Sequence, residues 1–212
     1  MRRYTKSSRK RVVNRMSDND RAFLKHVKDH CKSLGVKCVF KRSASVKYSE
    51  GVRCSGWFDS ENKELVVGMK NPIAFQILVH EYAHLTQWVD NAKVWVNVGD
   101  SLDIMDRWLQ GEDFRDIKKH LGRVRDLELD NEQRSVSLIK EWNLSIDPSV
   151  YIKGANAYVH YYNWIYYTRK WSKPKNSPYR NPTILNAMST RFNMNYKKMS
   201  KKVHDAFIAA NI

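Results

Sequence analysis

The sequence predicts an α+β fold: a mainly helical domain with a small antiparallel sheet or hairpin packed on a central helix. Much of the chain has apolar residues at helical spacing, as in segment 21–34. Segments 51–58 and 64–69 are typical of strands, and the polar residues 59–63 between them suit a hairpin turn. Segment 72–89 is apolar on nearly all sides, which indicates a buried helix.

Local signals place the other elements. Gly35 ends the first helix, while Asn71-Pro72 and Asp147-Pro148 each combine a cap residue with proline at the first helical position. The predicted elements, in chain order, are a helix over 21–34, a strand over 36–40, the hairpin over 51–69, the buried helix over 72–89, a short helix over 102–109, one long or two shorter helices over 114–142, a helix from 148 to about 171, an extended loop over 173–182 and two short helices at the end.

The buried helix contains two histidines four residues apart, His80 and His84, with Glu81 between them in the sequence H-E-Y-A-H. Residues four apart lie on one face of a helix, so two imidazoles can bind one tetrahedral metal ion. Glu81 lies beside them, where a carboxylate can act as general base toward an attacking water molecule. The alternative is a pair of core histidines satisfied by hydrogen bonds. The apolar context and the adjacent glutamate favour a zinc site.

A catalytic zinc ion normally has three protein ligands and one open position. Candidates for the third ligand after His84 are His120, Glu128, Asp130, Glu132 and His160. Glu128 and Glu132 are the strongest, because they lie four residues apart on one predicted helical face. One carboxylate can bind the metal while the other accepts the free N–H of a ligating histidine. The alternative is a solvated helix with ordinary acidic residues.

The order of elements, a helix, a hairpin, an H-E-x-x-H helix and a later helix with E-x-x-x-D/E, resembles the gluzincin metallopeptidases. Segment 50–190 is also similar to uncharacterised metallopeptidases of tailed bacteriophages. The resemblance implies a zincin-like domain with Zn²⁺ as cofactor, Glu128 as third ligand and Glu132 as its supporting neighbour. It also implies hydrolysis of peptide bonds in a protein or peptide substrate, with Glu81 as general base.

A second resemblance is to SprT-like proteases, which act on proteins crosslinked to DNA and have H-G-x-x-F after the H-E-x-x-H motif. Here segment 110–114 reads Q-G-E-D-F, so Gln110 stands where the third-ligand histidine is expected. An amide is a poor zinc ligand, and this departure counts against that subclass. A DNA-linked protease, or a basic nucleic-acid-associated or virion-associated protein with a purely structural metal, remains the alternative interpretation.

The helix from 148 to about 171 is rich in aromatic residues. Tyr158, His160 and Tyr162 are candidates for stabilising the oxyanion that forms when water attacks a carbonyl group. Aromatic residues at helical spacing are more often part of a core, so packing is the alternative role. The segment after it is typical either of a surface for single-stranded nucleic acid or of a solvated basic loop, with Arg169, Lys170, Trp171, Lys173, Lys175, Tyr179 and Arg180.

The 212-residue chain has 38 Lys and Arg against 22 Asp and Glu, a formal net charge of +16 that suits an anionic partner such as nucleic acid. Residues 1–16 are predicted to form a basic flexible tail, and residues 17–212 a single domain with a C-terminal helical extension. The candidate nucleic-acid-binding residues in the tail are Arg2, Arg3, Arg9, Lys10 and Arg11. A solvated tail without a specific contact is the alternative.

The sequence has no signal-peptide pattern and no apolar stretch long enough to cross a membrane. Its three cysteines, Cys31, Cys38 and Cys54, form no C-x-x-C pair and suit free thiols of a reducing compartment. We therefore expect a cytoplasmic protein without a membrane partner, located in the host cytoplasm if a phage encodes it.

Overall fold

The computed structural model describes residues 16–49, 52–173 and 176–212, which form a mainly helical α+β fold with a small sheet and so confirm the predicted class. Positions 1–15 of the predicted tail over 1–16, which include its nucleic-acid-binding candidates, lie outside these ranges. The elements are α1 (Asp18–Ser33), β1 (Lys37–Lys41), β2 (Val46–Ser49), β3 (Val52–Cys54), β4 (Gly56–Asp59), β5 (Glu64–Gly68), α2 (Ala74–Val89), α3 (Lys93–Val98), α4 (Ser101–Leu109), α5 (Ile117–Glu141), α6 (Pro148–Thr168), a 3₁₀ turn (Pro178–Arg180), α7 (Pro182–Ala187) and α8 (Lys201–Ala209).

The main sheet has three strands in the order β1–β5–β4. β4 and β5 form the predicted antiparallel hairpin. Its turn is stabilised by Asp59, whose Oδ1 accepts hydrogen bonds from the backbone N–H groups of Glu61 and Asn62 at 2.9 Å each. β1 runs parallel to β5 on the opposite side, a pairing that joins residues distant in the chain. β2 and β3 form a separate two-stranded ribbon.

Two hydrophobic clusters hold the two central helices, α2 and α5. The first lies between α1, the sheet and α2, and contains Phe23, Leu65, Leu78, Leu85 and Ile139. The second lies among α4, α5, α6, α7 and α8, and contains Val124, Ile165, Ile184 and Phe207. Full burial of one such side chain stabilises the fold by about 1.5–3 kcal/mol. Because α5 contributes to both clusters, its middle section is held against α2.

The start of α2 differs from the expected cap. The helix begins at Ala74 rather than at Asn71-Pro72. The side chain of Asn71 instead stabilises a turn, since its Oδ1 accepts a hydrogen bond from the backbone N–H of Ile73 at 3.1 Å. Its Nδ2 donates to Ser55 Oγ at 3.0 Å. Asn71 therefore connects the beginning of the central helix to the residue before β4.

The start of α6 is as predicted, because Asp147 Oδ1 accepts hydrogen bonds from the backbone N–H groups of Ser149 and Val150, with Pro148 at the first helical position. The helix ends at Thr168, three residues earlier than expected, because Arg169 adopts a left-handed backbone conformation. Among the described residues, no helix combines the length and apolarity needed to cross a bilayer.

Candidate metal centre

Three side chains from α2 and α5 converge between these helices. The Nε2 atoms of His80 and His84 lie 3.7 and 3.6 Å from Oε2 of Glu128. These residues are the one group of three or more His, Cys, Asp or Glu side chains in the described part of the chain whose ligand atoms all lie within 4.8 Å of one another. The packing of α2 on α5 thus brings together the three residues predicted as ligands.

The state of Glu128 indicates that this group fits a metal ion. Glu128 is 7 % exposed, and its Oε2 is buried without a hydrogen-bond partner. An unsatisfied buried acceptor costs about 1–3 kcal/mol, and more when it is charged. Two ligand atoms bound to tetrahedral zinc at about 2.1 Å each lie about 3.4 Å apart, close to the separations found here. Two imidazoles and one carboxylate also form a donor set that zinc accepts.

Gln87 determines the orientation of His84. Its Nε2 donates to the backbone oxygen of Leu127 at 3.0 Å and to Oδ2 of Asp130 at 2.7 Å. Because both amide protons are used on this side, Oε1 faces His84 and accepts the Nδ1–H at 2.8 Å. A proton on Nδ1 leaves the lone pair of Nε2 directed toward Glu128, as a metal ligand requires.

We expect Gln87→Leu to weaken zinc binding by about 10–100-fold, because the substitution removes the group that holds the His84 ring. Competition with a chromogenic chelator measures the affinity, and circular dichroism checks the fold. Gln76→Leu is the matched control: it makes the same change in the same helix, at a residue whose side chain forms no hydrogen bond with the described part of the chain. Equal zinc affinity in Gln87→Leu and the wild type would contradict the role assigned to Gln87.

His80 is held by residues of the same turn of α5. Its Nδ1 lies 3.2 Å from Oε1 of Glu132 and 3.0 Å from Nδ2 of Asn131. Glu132 is buried and lies where the resemblance implies a supporting carboxylate. Burial alone lowers the pKa of His80, but Glu132 and then Glu81 and Glu128 outweigh it and raise that pKa to about 10. A metal ion must therefore displace a proton from His80, so metal binding releases protons.

The remaining third-ligand candidates are engaged elsewhere. Asp130 accepts a hydrogen bond from Gln87 and pairs with Nε of Arg134 at 2.9 Å. His120 is buried and shares a hydrogen bond of 3.0 Å between its Nδ1 and Ser101 Oγ. Burial raises the free energy of the charged carboxylate of Glu128, but the neighbouring imidazoles of His84 and His80 outweigh it and lower its pKa. The ionised form is the one that binds a metal.

Glu81 lies on α2 beside β4. Close approach of the strand depends on Gly56, because a Cβ there would lie 2.8 Å from Ile77 Cγ2 and 3.4 Å from Glu81 Cγ. Burial raises the pKa of Glu81, against the opposing positive charge of His80. A carboxylate with a raised pKa is a stronger base.

Tyr158 and Tyr162, two of the three α6 residues predicted to stabilise the oxyanion, lie next to the candidate metal ligands. The Tyr162 hydroxyl donates to Oε1 of Glu128 at 3.5 Å and shares a 2.9 Å hydrogen bond with the Tyr158 hydroxyl. The Tyr158 ring packs edge-on against His80, with centroids 6.1 Å apart. Burial, followed by the charge of Glu128, raises the pKa of both tyrosines well above the usual value, so both keep their protons at neutral pH.

His160 lies on another side of α6, because it is turned by about 200° around the helix from Tyr158. Its ring packs against Tyr196 with centroids 5.4 Å apart, and neither ring nitrogen has a hydrogen-bond partner. Burial lowers the pKa of His160 to about 4. His160 is thus a neutral core residue that the structure does not bring to the metal ligands.

Several residues of the site were not predicted from the sequence. Gln87 orients His84, the Nδ2 of Asn131 lies 3.0 Å from Nδ1 of His80, and Trp95 of α3 packs near His84 with ring centroids 6.4 Å apart. Gln87 could have been found, since it is a polar residue in an apolar helix three positions after a ligand, on the same face. No sequence pattern indicated Trp95, because its contact with His84 depends on the position of α3 in the folded chain.

Some residues of the basic segment after α6 stabilise the fold. Arg169 donates to the backbone oxygen of Trp108 at 2.7 Å and pairs with Asp113 at 3.0 Å, and Trp171 packs on Tyr161 with ring centroids 5.5 Å apart. These two side chains therefore stabilise the end of α6. The segment also has exposed residues at Lys170, Lys173, Tyr179 and Arg180, while Lys175 lies outside the described ranges.

No protein-family model matches this chain, and no curated protein or solved structure is significantly similar to it. The chemistry of the centre is therefore inferred from its residues and their geometry.

Proposed function

We propose that the protein is a zinc-dependent metallopeptidase that hydrolyses peptide bonds in a protein or peptide substrate. The observation that carries this proposal is the buried, unpaired Oε2 of Glu128 facing the Nε2 atoms of His80 and His84, with Glu81 beside them. Zinc held by these three residues supplies Lewis-acid chemistry, which makes water more acidic and polarises a carbonyl group.

The residues around the centre have separate roles in this proposal. Glu81 accepts the proton of the attacking water and delivers it to the leaving amine. Because Tyr162 donates its single proton to Glu128, the Tyr158 hydroxyl donates to Tyr162 in this structure, and it turns this proton to the oxyanion that develops on the substrate carbonyl. Tyr162 fixes both partners, because its hydroxyl bonds to the Tyr158 hydroxyl and to Glu128.

The donor set favours catalysis over a purely structural metal. Structural zinc sites usually have four protein ligands, whereas catalytic sites have three and an open position. The described cluster has three. The location of Gln110 also argues against a SprT-like site, because it is the cap residue at the end of α4, whereas the third donor comes from α5.

The proposal is tested by metal removal. We expect purified wild-type protein to contain about one zinc ion per chain and to hydrolyse casein or a mixed peptide library. Dialysis against a chelator should abolish hydrolysis, and one equivalent of zinc should restore it. His80→Ala is the control, since it should neither retain zinc nor hydrolyse substrate. Absence of stoichiometric zinc under zinc-replete conditions would contradict the proposal.

A further inference from the structure

The 3₁₀ turn Pro178–Arg180 lies against the side of α6 that contributes Tyr158 to the centre. The Tyr179 ring packs edge-on against the Tyr158 ring, with centroids 5.9 Å apart, and Tyr158 in turn contacts His80. The turn passes close to Gly154 of α6, because a Cβ built there would lie 3.6 Å from the backbone oxygen of Tyr179, in ordinary van der Waals contact. Tyr179 is 40 % exposed, so it forms the outer edge of the α6 side of the site.

Arg180 extends from this edge to the opposite, sheet side. Its Nη2 donates to Oδ1 of Asn71 at 3.3 Å, and Asn71 donates to Ser55 Oγ immediately before β4. Glu81 and Gly56 lie on this same sheet side of the metal ligands. Arg180 therefore connects the α6 side of the site to the sheet side, at the end where α2 begins.

The length of α2 sets the scale of the separation between this contact and Glu81, because Asn71 lies three residues before the helix begins. The beginning of α2 and Glu81 are seven residues apart, which corresponds to about 10 Å along the helix at about 1.5 Å per residue. An extended peptide covers this distance with about three residues, at about 3.3 Å each.

The guanidinium of Arg180 has no acidic partner within the described ranges. Its contacts are the Asn71 amide oxygen and the Tyr179 ring, whose centroid is 6.0 Å away. Other arginines near the centre differ, because Arg134 pairs with Asp90 and Asp130. An exposed guanidinium without an acidic partner is available to a carboxylate, which it binds through two parallel hydrogen bonds.

We propose that Arg180, positioned by Tyr179 and Asn71, selects substrates that carry a carboxylate about three residues from the scissile bond. The carboxylate is either an acidic side chain or the free C-terminus of the substrate. This inference rests on the proposed peptidase function, for which it defines the substrate class. A guanidinium–carboxylate contact at a half-open site is expected to change kcat/KM on the order of tenfold.

The test compares matched peptides that differ only in Glu or Gln three residues from the scissile bond, on either side, each with a free or an amidated C-terminus. We expect zinc-loaded wild-type protein to cleave the peptide with the carboxylate about tenfold faster. In Arg180→Gln this ratio should fall to about one. The control is Arg191→Gln, which makes the same charge change at an exposed arginine whose side chain forms no hydrogen bond or ion pair with the described residues; its ratio should equal that of the wild type.

A second readout is the binding of the same fluorescent peptides to zinc-loaded Glu81→Gln, with and without Arg180→Gln, measured by anisotropy. It reports the Arg180 contact independently of turnover. Zinc-dependent hydrolysis with equal rates for Glu and Gln peptides overturns the Arg180 inference and leaves the peptidase function intact. If no hydrolysis occurs but binding shows a Glu preference that Arg180→Gln removes, the Arg180 contact is supported and the peptidase function is overturned. A preference that persists in Arg180→Gln also overturns the inference.

The arms of the experiment also identify the source of the carboxylate. If the preference follows the free C-terminus and not the internal Glu, the enzyme removes residues from the C-terminal end of its substrate. If the preference follows the internal Glu and persists when the C-terminus is amidated, the enzyme cleaves within chains near acidic residues.

Discussion

Glu81→Gln is expected to reduce hydrolysis by about 10²–10⁴-fold while zinc remains bound. The carboxylate is not one of the three converging donors, so its loss leaves the metal ligands unchanged. Glutamine has nearly the same shape, so the substitution leaves the packing of α2 on β4 unchanged. The glutamine amide cannot accept a proton from water. Steady-state kinetics on a peptide substrate, together with zinc analysis of the same sample, measure both properties.

The control for this substitution is Glu61→Gln, which makes the same charge change at an exposed residue in the β4–β5 turn. Its activity and zinc content should match the wild type. Unchanged hydrolysis in Glu81→Gln would show that another group accepts the proton. Loss of zinc from Glu81→Gln would show instead that this carboxylate is a ligand.

The second large effect is expected from Glu128→Ala, which should abolish tight zinc binding. Oε2 of Glu128 faces the Nε2 atoms of both histidines, whereas Oε1 of Glu132 faces Nδ1 of His80. Glu132→Ala should therefore weaken zinc binding by only about 10–100-fold. Zinc affinities by chelator competition measure the difference, with circular dichroism to show that each variant is folded.

Glu132→Gln serves as the conservative comparison, because an amide oxygen can still accept the Nδ1–H of His80. Its zinc affinity should lie between those of the wild type and Glu132→Ala. Retention of zinc by Glu128→Ala with loss of zinc from Glu132→Ala would reverse the assignment of the two carboxylates.

The elements that carry the site could be predicted because their signals are local. The spacing of His80 and His84 in an apolar segment determines which face of α2 they share. The same reasoning put Glu128 and Glu132 on one face of a helix, and both are buried in α5 opposite α2. The β4–β5 hairpin also followed from its polar turn, in which Asp59 accepts backbone hydrogen bonds.

The strand β1 was predicted, but two features that depend on distant contacts, the partner of β1 and the helix α3, were not. β1 pairs in parallel with β5 across an intervening ribbon, and no residue near β1 specifies that partner. α3 is a six-residue helix without a side-chain cap, too short to produce a clear periodic pattern. Its Trp95 nevertheless packs near His84.

The sequence by itself determined the helix that carries the motif, the common face of its two histidines, the hairpin beside it and the excess of positive charge. These properties depend on residues a few positions apart. Only the tertiary structure decided that Gln87 orients His84, that Tyr162 contacts Glu128 and that Arg180 reaches Asn71. The last two contacts join residues 34 and 109 positions apart. The orientation by Gln87 likewise requires Asp130 and Leu127 of α5. Such hydrogen bonds form only when the packing of whole elements brings donor and acceptor within about 3.5 Å.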